Sequence, residues 1–223
     1  MKKFTLLLCC LLGLSLFLNA QQEGEVIFKQ SIKMKLKIDL PDDNLKLAEQ
    51  LKKMKPSEQV SNHVLYFNED ASLYKAKEGA EAPEDQEYNH EGDGVQIKMK
   101  FSRSSSESIT YLNLKKEALT EKKDFLGKTF LVQDKDPKLP WKLGTESKKI
   151  LDYNCRKATA EIDDRTVEAW FPTELPIASG PGTYYGLPGM ILEVKSSGEN
   201  GSRHIVAQEL NLKTLEANMI VAP

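Results

Sequence analysis

The stretch Lys157 to Trp170 reads K-A-T-A-E-I-D-D-R-T-V-E-A-W, a hairpin that can be read in register. A two-residue connection at Asp163-Asp164 pairs Ile162 with Arg165. That register sets Ala158 opposite Ala169 and Ala160 opposite Val167 on one face. On the other face it sets Thr159 opposite Glu168 and Lys157 opposite Trp170. The apolar residues gather on one side without adjustment, as cross-strand pairs in an antiparallel hairpin must. Because Ala158, Ala160 and Ala169 are small, something bulky, a helix or a ligand, is expected against them.

Beyond this hairpin, Pro172 to Gly182 (P-T-E-L-P-I-A-S-G-P-G) is turn-rich, and Tyr184 to Val194 follows as Y-Y-G-L-P-G-M-I-L-E-V. Leu187-Pro188-Gly189-Met190 carries the residues of a type II turn, with Pro188 fixing φ and Gly189 expected at positive φ. Gly186, Pro188 and Gly189 are thus structural turn residues. Met190, Leu192 and Val194 share one face of a buried strand, with Ile191 and Glu193 on the other. A last hairpin joins Met190–Lys195 to His204–Leu212 through an Asn200-Gly201 turn.

Upstream, Pro137, Pro140 and Trp141 form a corner, with Trp141 a core anchor. Lys128–Val132 reads as a strand, and Gly94–Phe101 and Thr110–Leu114 read as a hairpin closed by Ser102–Ser108. Residues 78–93 hold seven acids and no Lys or Arg, so an acidic loop is expected at about 76–94. It lacks the regular ligand spacing of a calcium site. Val64, Tyr66 and Leu73 give strand character around an Asn68-Glu69-Asp70 bend. Leu45, Ala48, Leu51 and Met54, between Pro41-Asp42-Asp43 and Pro56, outline an amphipathic helix. Ile32, Met34, Leu36, Ile38 and Leu40 alternate with Lys33, Lys35, Lys37 and Asp39, the pattern of a half-buried strand with a solvated face. The fold expected is mainly β (α+β): a curved antiparallel sheet or half-barrel with one amphipathic helix packed across it.

Lys2 and Lys3 precede a mostly apolar run from Phe4 to Leu18, and Asn19-Ala20 supplies a cleavage point, so residues 1–20 read as a signal peptide. The run is too short to span a membrane, and no second one follows. Residues 21–223 are then a single exported β-rich domain, in the periplasm, outer-membrane-associated or secreted. Without Lys2 and Lys3 the net charge moves from −2 to about −4, with basic residues dispersed, which excludes a nucleic-acid stripe. Cys9 and Cys10 lie inside the leader, leaving Cys155 as a lone, packed thiol without a disulfide partner.

Trp170 to Ile177 (W-F-P-T-E-L-P-I), Gly180-Pro181 and Gly186 to Leu192 (G-L-P-G-M-I-L) together resemble the GLPGLI family, exported proteins of Bacteroidetes-type bacteria named for that motif. The likeness extends through Phe125–Val132, Trp141–Ala160 and the Gly24–Phe28 opening, with Met190 where the family has Leu. The resemblance implies an envelope accessory protein that accompanies outer-membrane receptors, and no particular reaction.

The residues themselves carry no G-x-S-x-G, H-E-x-x-H, C-x-x-C, P-loop or dinucleotide fingerprint, and His63, His90 and His204 are isolated in sequence. No catalytic residue, metal ligand or cofactor is therefore assigned. A binding module is expected instead, with Trp141, Trp170, Tyr184, Tyr185, Leu187, Met190 and Leu192 as a ligand pocket or partner patch. Lined also by Ala158, Ala160 and Val167, such a pocket suits an acyl chain or an apolar peptide. The alternative is a structural or assembly partner of an outer-membrane receptor without a small ligand, docking through exposed Tyr184 and Tyr185. Burial of the two tyrosines discriminates these readings.

Overall fold

The computed structural model describes residues 22–34, 58–79, 86–92, 95–101, 108–125, 127–135, 139–199 and 201–223. The expected leader and the expected helix at 41–56 lie outside them. In chain order the strands are β1 (Gly24–Met34), β2 (Glu58–Phe67), β3 (Ala71–Ala76), β4 (Gln86–Gly92), β5 (Val95–Phe101), β6 (Ile109–Asn113), β7 (Ala118–Phe125), β8 (Lys128–Lys135), β9 (Lys142–Ile150), β10 (Tyr153–Ile162), β11 (Arg165–Pro172), β12 (Glu193–Gly198) and β13 (Gly201–Leu212). Eleven of them form one open antiparallel sheet in the order β8-β7-β6-β3-β2-β1-β13-β12-β11-β10-β9, and β4 and β5 pair separately.

Local chemistry accounts for the sharp connections. Asp163 and Asp164 both sit at positive φ (47° and 60°), as a two-residue hairpin turn requires, and the pairing runs Ile162↔Arg165, Ala160↔Val167, Ala158↔Ala169. Between β2 and β3, the Asn68 side-chain oxygen accepts from the Asp70 and Ala71 amides at 2.9 and 2.8 Å, an Asx turn.

Several expectations are corrected. Among the described residues no helix packs across the sheet. The covering layer is the irregular segment from Thr173 to Leu192, which buries Leu175, Ile177, Tyr185, Leu187, Met190, Ile191 and Leu192. The small residues do demand bulk against them, but a loop supplies it: Leu187 and Ile191 cluster with Ala158, Val167, Ala169 and Val194. The segment 86–92, read as acidic loop, forms β4, and β5 pairs with β4 instead of β6. β6 pairs instead with β3 and β7. In β1 the buried residues are Gly24, Val26, Ile27 and Phe28; of the alternating run, Ile32 is half-buried, Met34 is 44% exposed, and Leu36, Ile38 and Leu40 lie outside the described residues.

One loop also reveals the curl of the sheet. Tyr185 clusters with Leu112 of β6 and Leu119 of β7, while Leu187 clusters with residues of β10 and β11. β7 and β10 are eight positions apart in the sheet order. In a flat sheet that is roughly 38 Å, whereas residues two apart in the chain span at most about 7 Å. Both contacts coexist only because the sheet curls around the loop.

Candidate functional site

The loop is held by backbone hydrogen bonds to itself and to the sheet. The Ile191 amide donates to the Ser179 carbonyl (2.9 Å), Met190 to Leu175 (2.9 Å), Gly186 to Ala178 (3.2 Å), and Leu192 to Trp170 (2.9 Å). Two side-chain bonds tie it down: Ser72 and Ser179 share a buried hydroxyl contact of 2.6 Å, and the Trp141 indole donates to the Tyr185 carbonyl at 2.8 Å.

The Gly-Leu-Pro-Gly turn is a different turn from the one expected. The Gly189 amide donates to the Leu187 carbonyl at 2.8 Å, an i to i+2 bond that makes a γ-turn centred on Pro188. Gly186 carries the positive φ, at 86°. Gly189 is needed for another reason: a Cβ there would stand 1.9 Å from the Pro172 carbonyl oxygen. The glycine permits close backbone approach, and its φ is ordinary.

The predicted pocket residues are therefore mostly core. Leu187, Met190 and Leu192 are buried in the sheet's packing, and Trp170 and Tyr185 are 7% and 8% exposed. Trp141 and Tyr184 are half-buried and pack against the same clusters. Of the residues expected to line a pocket, Tyr184 and Val167 border the open cleft described next.

Open space lies beside the loop. A cleft of about 730 Å³ is bounded by Thr183 and Tyr184, the Asp163-Asp164 turn and the start of β13, with Val167 and Ile162 as its apolar floor. Asp163, Asp164, Arg165, Glu199 and Arg203 line it, and among the described residues no ion pair engages Asp163, Asp164, Arg165 or Arg203. In the sequence Asp163-Asp164 reads only as a turn. Arg203 gives no signal there, since its relation to Val167 passes through two ladders, Val167↔Ser196 and Ser196↔Arg203.

Two further clusters complete the polar map. On the sheet's opposite face, Glu193, 7% exposed at its side chain, accepts from Lys148, from Lys195 (3.2 Å) and from His204 (3.0 Å). Burial pushes the Glu193 carboxyl up, but the hydrogen bonds from Lys148, Lys195 and His204 outweigh it and hold it below the ordinary value. Lys148 also stands 4.2 Å from the centre of the Trp170 ring, whose indole donates to Glu168 at 2.8 Å. On the inner face His63 stacks on Tyr74, ring centres 5.0 Å apart, and neither the buried His63 Nδ1 nor the buried Tyr74 hydroxyl has a hydrogen-bond partner among the described residues. Burial, with Arg203 adding to it, brings the His63 imidazole down to about 4. His63 and His204 thus lie on opposite faces of the sheet and do not converge. Burial pushes the Cys155 thiol up to about 12. Among the described residues no group of His, Cys, Asp or Glu is placed to hold a metal ion.

These features define a class: an open, curled antiparallel sheet strapped by an irregular loop. Residues 159–193, which run from mid-β10 through the loop to the start of β12, match the model of a family described as "Protein of unknown function (Porph_ging)". In fold the chain is similar to the structure of PNGF-II in two crystal forms. The C2 form gives a TM-score of 0.56 at 16% identity over 89% of this chain and 29% of that one. The P21 form gives 0.56 at 17%, over 90% and 30%. The chain thus spans under a third of the PNGF-II chain, and the likeness is one of fold. No curated protein matches the chain.

Proposed function

We propose that this is an exported, non-enzymatic cell-envelope protein of the GLPGLI type, and that it binds an extended polypeptide segment of an envelope partner in the cleft beside the loop. The observation that carries the reading is the cleft of about 730 Å³, with Asp163, Asp164, Arg165, Glu199 and Arg203 around the apolar Val167 and Ile162. Unpaired charges of both signs over Val167 and Ile162, beside the half-buried Tyr184, suit a polypeptide better than an acyl chain, which would leave the charges without partners. Export is supported by the leader pattern of residues 1–20, and the GLPGLI assignment by the motif run from Trp170 to Leu192.

The test is native mass spectrometry and co-purification of the protein released gently from its own envelope, beside an Arg165→Ala, Arg203→Ala double variant. A protein partner held by the native chain and lost from an equally stable double variant is the expected result. A free chain in both preparations, or a bound lipid, would overturn the reading.

A further inference from the structure

The two outer strands of the sheet, β8 and β9, are built differently. β9 is guarded: its pairing with β10 shifts register between Arg156 and Ala158, and its Glu146 and Lys148 are engaged by Lys157 and Glu193. β8 is unguarded. All eight of its residues are exposed, and Phe130, Leu131 and Val132 lie in a row at 46%, 54% and 48% exposure. No described strand pairs with its outer edge. A strand of this composition at an open edge is a template for pairing.

We propose that β8 pairs antiparallel with β8 of a second copy about a two-fold axis through Leu131, joining the two sheets edge to edge. The sequence of β8, K-T-F-L-V-Q-D-K, is self-complementary in that register. Leu131 meets Leu131, Phe130 meets Val132, Thr129 meets Gln133, and Lys128 meets Asp134, each unlike pair occurring twice as a two-fold interface requires. Lys128, Phe130, Val132 and Asp134 share one face, so an apolar quartet forms there, closed at each end by a lysine-aspartate pair. Lys128 and Asp134 have no ion-pair partner within the described chain, so both charges are available to the second copy. Shifting the register by one residue sets Lys128 against Lys135, which charge repulsion disfavours. The edge is short, so the dimer is expected to be a weak one.

Sedimentation equilibrium of the intact protein, up to on the order of 100 µM, tests the association. A reversible monomer-dimer equilibrium is expected. Mild oxidation of the Leu131→Cys variant is expected to join the two introduced thiols across the axis, giving a disulfide-linked pair of identical peptides recognised by mass. Asp134→Lys should weaken the dimer about tenfold or more, as should Lys128→Asp, and the double exchange should restore it. These sites are exposed, so the variants keep the monomer fold, checked by an unchanged melting temperature. A monomer throughout the range, or a dimer indifferent to both single variants, would overturn the proposal.

Discussion

The inner face of the sheet behaves as two regions built on the same strands. Under the loop, β10 to β12 present Ala158, Val167, Ala169 and Val194 to Leu187 and Ile191, with Phe171 alongside. Further along the same strands the ladder Val167↔Ser196↔Arg203 leads from the edge of this cluster, where Val167 and Ser196 are still buried, to Arg203 at an open cleft. The difference lies in where the loop ends, since strand alternation continues unbroken through both regions. Small side chains mark the covered region because the covering segment must approach the backbone closely, and Asp163, Asp164, Arg165, Glu199 and Arg203 mark the rim of the uncovered one.

The strongest way to break the comparison is to lift the loop. Gly189→Ala places a Cβ against the Pro172 carbonyl, a backbone atom that cannot swing aside. We expect a loss of about 4 kcal/mol or more in urea unfolding. Cys155 offers a second readout: fully buried and with its thiol pushed up to about 12, it should resist alkylation in the native chain and react in the variant. Leu187→Ala leaves the loop path intact and opens a cavity over Ala158 and Ala169, for an expected cost of about 2–5 kcal/mol. A cost within about 0.5 kcal/mol, the range of ordinary surface substitutions, would mean that the loop does not seal this half of the sheet.

His63 tests the boundary from the polar side. Its imidazole sits at about 4 in the folded chain against about 6.5 when exposed. Because the folded value is depressed, the unfolded chain binds the extra proton first. Stability is complete above about pH 6.5 and is lost as pH falls toward 4, by about 3 kcal/mol in total. His63→Leu should remove this slope, seen as parallel urea midpoints at about pH 7 and pH 4.5 after subtraction of the common acid loss. A variant with the wild-type slope would assign the pH dependence to other groups.

The legible part of the fold is what local chemistry determines. The β10–β11 register can be read because a two-residue connection leaves one pairing that gathers Ala158, Ala160, Val167 and Ala169 together. The need for a covering layer follows from the same small residues. Its identity does not, because the Thr173–Leu192 segment has no period and takes its burial from contacts spread from β3 to β12. Leu187-Pro188-Gly189 misleads since proline and glycine suit both a type II and a γ-turn, and the close carbonyl of Pro172 that demands Gly189 belongs to another segment. The pairing of β5 misleads because strands adjacent in sequence pair by default. Here the β4–β5 hairpin is inserted between the true partners β3 and β6. The cleft is not legible for the same reason: Asp163 and Arg203 meet only through three strands.

The smallest effect is expected at the far lip of the cleft, and it sharpens the comparison best. Asp164 occupies the left-handed region at φ 60°, where a side chain costs free energy and glycine does not. It is exposed and belongs to none of the core clusters, so Asp164→Gly should leave every packed contact unchanged. Relief of the backbone strain should outweigh the added freedom of the unfolded chain and stabilise by up to about 0.5 kcal/mol. The same substitution removes one charge from the cleft. If stability rises slightly while retention of a partner falls, the cleft residue serves binding at a small cost to the fold. Such a trade is not available under the loop, where every substitution considered lowers stability.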